Sequence, residues 1–186
     1  MTNVLSTEAP DNPQSPTAYH QLLIVLACEY HKLLTCIDWQ DAVLIAGIRE
    51  GLTKFLSNTF LHILQGRGRA KHRCSQLASI AAVEQLKKGD YKRLRFEHIV
   101  PKTKYIQEPC ERKAQGKELS EKYVLDLIHK YWVIASVTED EDRKLPKKMP
   151  DEWDTSDVLA RYRQCDIRLI RNPLFVMEWS PSFALE

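Results

Sequence analysis

The chain has 186 residues, of which 44% are hydrophobic and 28% charged, the balance of a soluble globular protein rather than a wholly disordered chain. Its longest apolar run, residues 22–28, is too short to cross a bilayer, and its five cysteines include no Cys-x-x-Cys pair. These features argue against membrane association, a disulfide framework and a cysteine-rich zinc site. They favour a protein of the reducing cytoplasm.

Positive charge is concentrated in the middle third of the chain. The formal charge is −3 over residues 1–65, +8 over residues 66–122 and −3 over residues 123–186. A local basic excess attracts polyanions even though the whole chain carries only +2. The candidate nucleic-acid contacts are Arg67, Arg69, Lys71, Arg73, Lys92, Arg93, Arg95 and Lys102. The alternative interpretation is a solvated basic surface without a ligand.

The first third predicts a leader followed by helices. Residues 1–16 contain three prolines among small polar residues, which predicts a flexible leader. Beyond them, apolar residues recur at spacings of three and four, as on one face of a helix. The predicted helices cover 17–37, 40–65 and 74–88, with Thr17 as the first N-cap, Asp38 or Asp41 as the second and Gly66 as a stop. We interpret residues 17–90 as a helical unit that packs, forms a homodimer or contacts a partner protein.

The remainder, residues 91–186, combines predicted strands with predicted helices. The chain as a whole is therefore predicted to have an α+β fold. Its predicted elements are a strand ending at Pro101, a loop over 102–117, a helix over 118–130, a strand over 131–137 and a helix from Thr138. Thr138 and Glu141 have the spacing of a capping box. The order strand, connection, strand, helix predicts a small module in which the two strands form a hairpin under the last helix.

Chemistry-bearing residues fall at the ends of these elements. Glu97 and His98 close the first strand, and residues 139–142 are all acidic and open the final helix. If the helix packs across the hairpin, these groups converge. An imidazole can accept a proton from water, and carboxylates bind Mg²⁺ or Mn²⁺, which stabilises charge on a phosphate. The pattern therefore suits metal-assisted hydrolysis of a phosphodiester.

The run Glu97-His98-Ile99-Val100-Pro101 resembles the first-strand motif of the HNH, or ββα-metal, endonucleases. The later runs VTEDEDRKL, MPDEW and ARY are similar to uncharacterised bacterial HNH-like proteins, and the resemblance covers residues 91–170. It implies that His98 activates water and that Glu97 binds a divalent metal, Mg²⁺ or Mn²⁺ rather than Zn²⁺. Asp142, or Glu141 beside it, would be the metal ligand from the helix.

We therefore expect a helical N-terminal unit followed by a ββα-metal nuclease-like module that hydrolyses DNA, with bacterial antiviral defence as its setting. The central Asn and the final His of the HNH pattern are absent. This absence favours two alternatives: a non-catalytic interaction subunit with a degenerate nuclease module, or a module that binds nucleic acid without cleaving it.

Three further residues have open interpretations. Arg161 has the chemistry to clamp a phosphate or to form a salt bridge. His129 lies in a predicted helix, where a structural or exposed role is expected. His72 has no partner at a zinc-ligand spacing, so we expect it at the surface.

Overall fold

A computed structural model describes residues 17–66 and 68–185; the predicted leader and Arg67 lie outside these residues. The helices are α1 (Ala18–Thr35), α2 (Ala42–Ile63), α3 (Ile80–Lys87), α4 (Glu108–Gln115), α5 (Glu121–Tyr131), α6 (Glu139–Lys144) and α7 (Ala160–Gln164). The strands are β1 (Leu77–Ser79), β2 (Leu94–His98), β3 (Ile134–Thr138) and β4 (Leu169–Arg171). A 3-10 helix covers Gly68–Arg73, and a π-helical turn, Thr103–Gln107, leads into α4. The fold is α+β, as predicted.

The first two helices form where the sequence predicts them. Thr17 is the N-cap of α1, and its hydroxyl accepts a hydrogen bond from the His20 backbone N–H. Of the two aspartates proposed for α2, Asp41 is the N-cap, since its carboxylate accepts from the Leu44 N–H. The apolar face of α1 is buried from end to end, because the spacing of its leucines and tyrosines matches the helical repeat.

The four strands form one mixed sheet in the order β2-β3-β1-β4. β3 is parallel to β1 and antiparallel to β2, and β1 is antiparallel to β4. β1 lies within the segment predicted to be a helix over 74–88, so that prediction is wrong for its first part. The sheet also takes strands from both sides of residue 90, where the sequence predicts a boundary between the helical unit and the rest of the chain. A short apolar run is compatible with a helix or a strand equally. In this fold, pairing with β3 and β4 makes β1 a strand.

Residues 102–117 are helical rather than a loop. Among its many polar residues, this segment has three small or apolar residues at a spacing of four: Ile106, Cys110 and Ala114. All three are buried. That spacing forms one narrow stripe of a helix, too narrow to stand out among charged neighbours.

The last predicted helix is confirmed. Thr138 accepts from the Glu141 N–H, and the Glu141 carboxylate accepts from the Thr138 N–H, which completes the capping box that starts α6. The hydrophobic core packs between α1, α2, α5 and the sheet, with Trp132, Tyr30 and Phe60 among its fully buried side chains. Within the described residues, no helix combines the length and apolar character needed to cross a membrane.

Candidate functional site

Glu97 and His98 lie on opposite faces of the sheet. They are consecutive residues of β2, in register with Ala135 and Ile134 of β3, and successive side chains of a strand point to opposite sides. The contacts agree with this geometry, because Glu97 pairs with Arg161 of α7 whereas His98 contacts Ser57 of α2. The structure therefore does not bring the predicted base and the predicted metal ligand into one site.

The His98 ring is enclosed by α2 and by the end of α5. Its Nε2 lies 3.2 Å from Ser57 Oγ, and its ring meets Trp132 edge-to-face at a centroid distance of 4.7 Å. Nδ1 is buried and has no hydrogen-bond partner among the described residues. Burial, together with the positive charges of Lys102 and Arg161, lowers the pKa of His98 to about 3. The ring is neutral at pH 7, its Nδ1 is buried and its Nε2 faces the Ser57 hydroxyl, an arrangement that does not favour water activation.

Glu97 lies on the other face, beside a buried guanidinium. Arg161 Nη2 donates to Glu97 Oε1 at 2.9 Å, and the Arg161 side chain is only 3% exposed, against 30% for Glu97. Burial raises the pKa of Glu97 above its usual value; Arg161 opposes this rise and Asp142 adds to it. Of the two interpretations of Arg161, the salt bridge is the one observed.

The two helix acids reach the same face as Glu97. Negative charge from Glu97, Asp142 and Glu141 acts on the buried Tyr162 hydroxyl, whose pKa is raised mainly by its own burial. Glu141 is committed to structure, since Oε2 accepts from Ser79 Oγ at 2.6 Å and from Thr138. The Asp142 side chain is partly buried and takes part in none of the hydrogen bonds and ion pairs within 17–66 and 68–185. The three predicted metal ligands are thus neighbours, without the imidazole of the predicted base.

This arrangement does not fit the metal centre that the HNH resemblance implies. The guanidinium of Arg161 is the cation beside Glu97, Glu141 caps α6, and His98 lies across the sheet. Across the part of the chain that the structure describes, no group of three or more His, Cys, Asp or Glu side chains has a geometry suited to a metal ion. Metal-dependent cleavage at His98 stays a prediction that the geometry does not favour.

The predicted basic residues come together in a way the sequence does not reveal. His72, at the end of the 3-10 helix, is 1% exposed, which corrects the expectation that it lies at the surface. Its ring stacks on Tyr91 at 6.0 Å and meets Phe96 edge-to-face at 6.3 Å, while Nδ1 lies 2.9 Å from Ser136 Oγ. Burial, with a smaller effect of Lys71, lowers the pKa of His72 to about 4. A buried neutral imidazole thus joins the 3-10 helix to β2.

The contacts of His72 with Tyr91 and Phe96 bring together two basic segments that are separated in the sequence. We call this region the basic surface and define it by Arg69, Lys71, Arg73, Lys92 and Arg93, all of them exposed or partly exposed. None of the five forms an ion pair among the described residues, whereas many other basic side chains are paired. Their charge is available to an anionic ligand.

Two of the predicted nucleic-acid contacts have other partners. Arg95 Nη2 lies 2.8 Å from Glu139 Oε1, so its charge is largely compensated. Lys102 is partly buried, and its ammonium donates to the Thr53 carbonyl and to Gln107 Oε1. Burial lowers the pKa of Lys102. Lys102 thus ties α2 to the π-helical turn, and its contact with nucleic acid stays a prediction that this geometry does not favour.

A groove of about 790 Å³ adjoins the basic surface and was not predicted. One wall is the C-terminal half of α2 and the other is the start of the 3-10 helix; the lining residues are Asn58, Thr59, Leu61, His62, Gly66, Gly68 and Lys71. Its volume lies within the usual range of binding clefts, and its amide, hydroxyl and imidazole groups can hydrogen-bond. The sequence signal was polar residues in the last turns of an otherwise apolar helix, next to the glycine-rich basic run.

Comparisons with protein-family models, with curated proteins and with solved structures found no match to this chain.

Proposed function

We propose that the protein binds nucleic acid through the phosphate backbone, using the basic surface and the adjoining groove, and that it does so without water activation at His98. The observation that carries the proposal is the contact of the buried His72 ring with Tyr91 and Phe96, which holds two basic segments side by side. Phosphate contacts by lysine and arginine supply most of the affinity of sequence-independent binding.

The charge distribution supports a polyanion as the ligand. Five basic side chains that have no acidic partner within residues 17–66 and 68–185 lie on the basic surface, in a chain whose formal net charge is only +2. The groove beside them has a volume of about 790 Å³, the size of a small-ligand cleft, which suits a nucleotide end or part of a single strand. Asn58 and Thr59 of α2 line the groove and have the hydrogen-bonding groups that base edges require.

Binding is favoured over endonuclease activity because of the relation between His98 and the carboxylates. The predicted mechanism needs one imidazole and two acids around a common cation, and these groups lie on two faces of the sheet. The basic surface does not depend on that arrangement, and it uses five of the eight residues predicted for nucleic-acid contact.

The experiment is a salt titration with fluorescently labelled single-stranded and duplex oligonucleotides, read by anisotropy. Each lost phosphate contact should reduce the slope of log K against log salt by about 0.7 on a single strand and about 0.9 on a duplex. The double variant Arg73→Gln/Arg93→Gln removes one exposed charge from each segment and should reduce the single-strand slope by about 1.4. The control Lys32→Gln/Lys122→Gln removes the same net charge from α1 and α5, and should change the slope by less than 0.3.

Equal weakening by both double variants would mean a general charge effect and would contradict a localised surface. Absence of binding at low salt would refute the function itself. Cleavage of the same oligonucleotides with Mg²⁺ or Mn²⁺, lost in His98→Gln, would instead establish the endonuclease hypothesis.

A further inference from the structure

The first half of α2 carries exposed apolar side chains on one side, while Ile48 packs against the core and Arg49 pairs with Glu111 of α4 on the other. The fully buried residues of this helix, Leu52, Leu56 and Phe60, lie from its midpoint onward. In the first half, Val43 is 84% exposed, the largest value among the exposed large apolar side chains of the described residues, and Leu44 is 40% exposed. Exposed apolar side chains on the outer face of a helix are typical of an association surface.

We propose that two copies of the chain associate through this segment, with the two α2 helices antiparallel. On a helical repeat, Val43, Gly47, Glu50 and Lys54 share one face, opposite the buried face that holds Leu52. A Cβ added at Gly47 would meet no atom within 4 Å, so this part of the face is open to a second helix. A small residue at the crossing point lets two helix backbones approach closely, with Val43 packing beside it.

The charges at the two ends of the segment favour a second copy of the chain as the partner. They also favour an antiparallel arrangement of the two α2 helices. Asp38 and Asp41 precede the helix, and both are exposed. Lys54 lies at the other end of the segment and is paired only with Glu50 of its own helix, at 2.5 Å. In an antiparallel pair crossing near Gly47, Lys54 of each copy lies near the N-terminus of the second copy's α2, which these aspartates precede. The pairing occurs twice because of the two-fold symmetry, whereas a parallel pair would bring like charges together.

The size of the contact sets the expected strength. Residues 42–54 form a segment of about 20 Å at 1.5 Å per residue. One helix from each copy is at the lower end of the range for specific interfaces. We therefore expect a concentration-dependent dimer with a Kd in the micromolar range rather than an obligate dimer.

The test is sedimentation velocity of the full chain from about 1 to 200 µM, with Val43→Asp as the main variant. Val43 is almost fully exposed, so this change should leave the circular dichroism spectrum unchanged and weaken dimer formation at least tenfold. Val25→Asp is the matched control, because Val25 is also an exposed valine, 48% exposed, but on α1. It should leave the dimer unchanged. Lys54→Glu should weaken association, and Lys54→Arg should preserve it.

Direct adjacency is checked with Gly47→Cys in a Cys36→Ser background, since Cys36 is exposed and would otherwise crosslink. Mild oxidation should yield a disulfide-linked dimer. A chain that stays monomeric to 200 µM would overturn the proposal and leave a different protein as the occupant of this segment. Equal effects of Val43→Asp and Val25→Asp, or no crosslink at position 47, would also overturn it.

Discussion

Acidification should destabilise this protein through two buried neutral imidazoles, and His98 allows the effect to be isolated. In an unfolded chain a histidine takes up a proton near pH 6.5. In the folded protein the pKa values of His72 and His98 are lowered to about 4 and about 3, mainly by burial. At pH values between the folded-state and unfolded-state pKa values, the unfolded state binds more protons than the folded state. The free energy of unfolding therefore falls as pH falls.

The magnitude follows from the proton linkage. Consider an imidazole whose pKa is 6.5 in the unfolded state and 3 or 4 in the folded state. At pH 5 it lowers the free energy of unfolding by about 2 kcal/mol relative to neutral pH. Two such residues cost about 4 kcal/mol, a large part of a typical unfolding free energy of about 5–15 kcal/mol. Glu97 contributes in the opposite direction, because its folded pKa is raised. The quantity to compare is therefore the difference between variant and wild type.

The assay is urea unfolding at pH 5.0, 5.5, 6.0 and 7.5, followed by tryptophan fluorescence. From pH 6 to pH 5, His98→Gln should lose about 1.2 kcal/mol less than the wild type, because one of the two shifted groups is gone. Ser57→Ala removes the 3.2 Å contact to Nε2 but retains the imidazole, so it should keep most of the pH dependence. If His98→Gln and the wild type lose stability in parallel, His98 is protonated equally in both states, and its enclosure is refuted.

Two further predictions concern packing and charge, and both are checked by urea unfolding. Gly66→Ala should destabilise the fold by at least 2 kcal/mol, because the new methyl group must displace the buried Cys74 side chain, whereas Gly51→Ala, with open space around it, should stabilise α2 by about 0.5–1 kcal/mol. Similar effects at the two glycines would contradict the packing described. Glu97→Gln should cost about 3 kcal/mol because it leaves Arg161 buried without a countercharge, and Glu97→Gln/Arg161→Met should recover much of that loss; a neutral single substitution would show that the pair is solvated.

Local patterns in the sequence determined most of the secondary structure. Thr17 and Thr138 are caps in the structure because short polar side chains satisfy the free N–H groups of the next turn, a relation set within four residues. The apolar repeat of α1 and the β-branched run of β3 also depend on near neighbours alone. The excess positive charge of the middle third is likewise a property of composition.

Tertiary structure decided the two relations on which the proposed function depends. The sequence places Glu97 beside His98, but the pleat of a strand separates their side chains, and only Arg161 and Ser57, distant in the chain, show which face each one takes. His72 offered no sign of burial, because its partners Tyr91 and Phe96 lie about twenty residues away. Such contacts depend on strand pairing and long-range packing, which neighbouring residues do not encode.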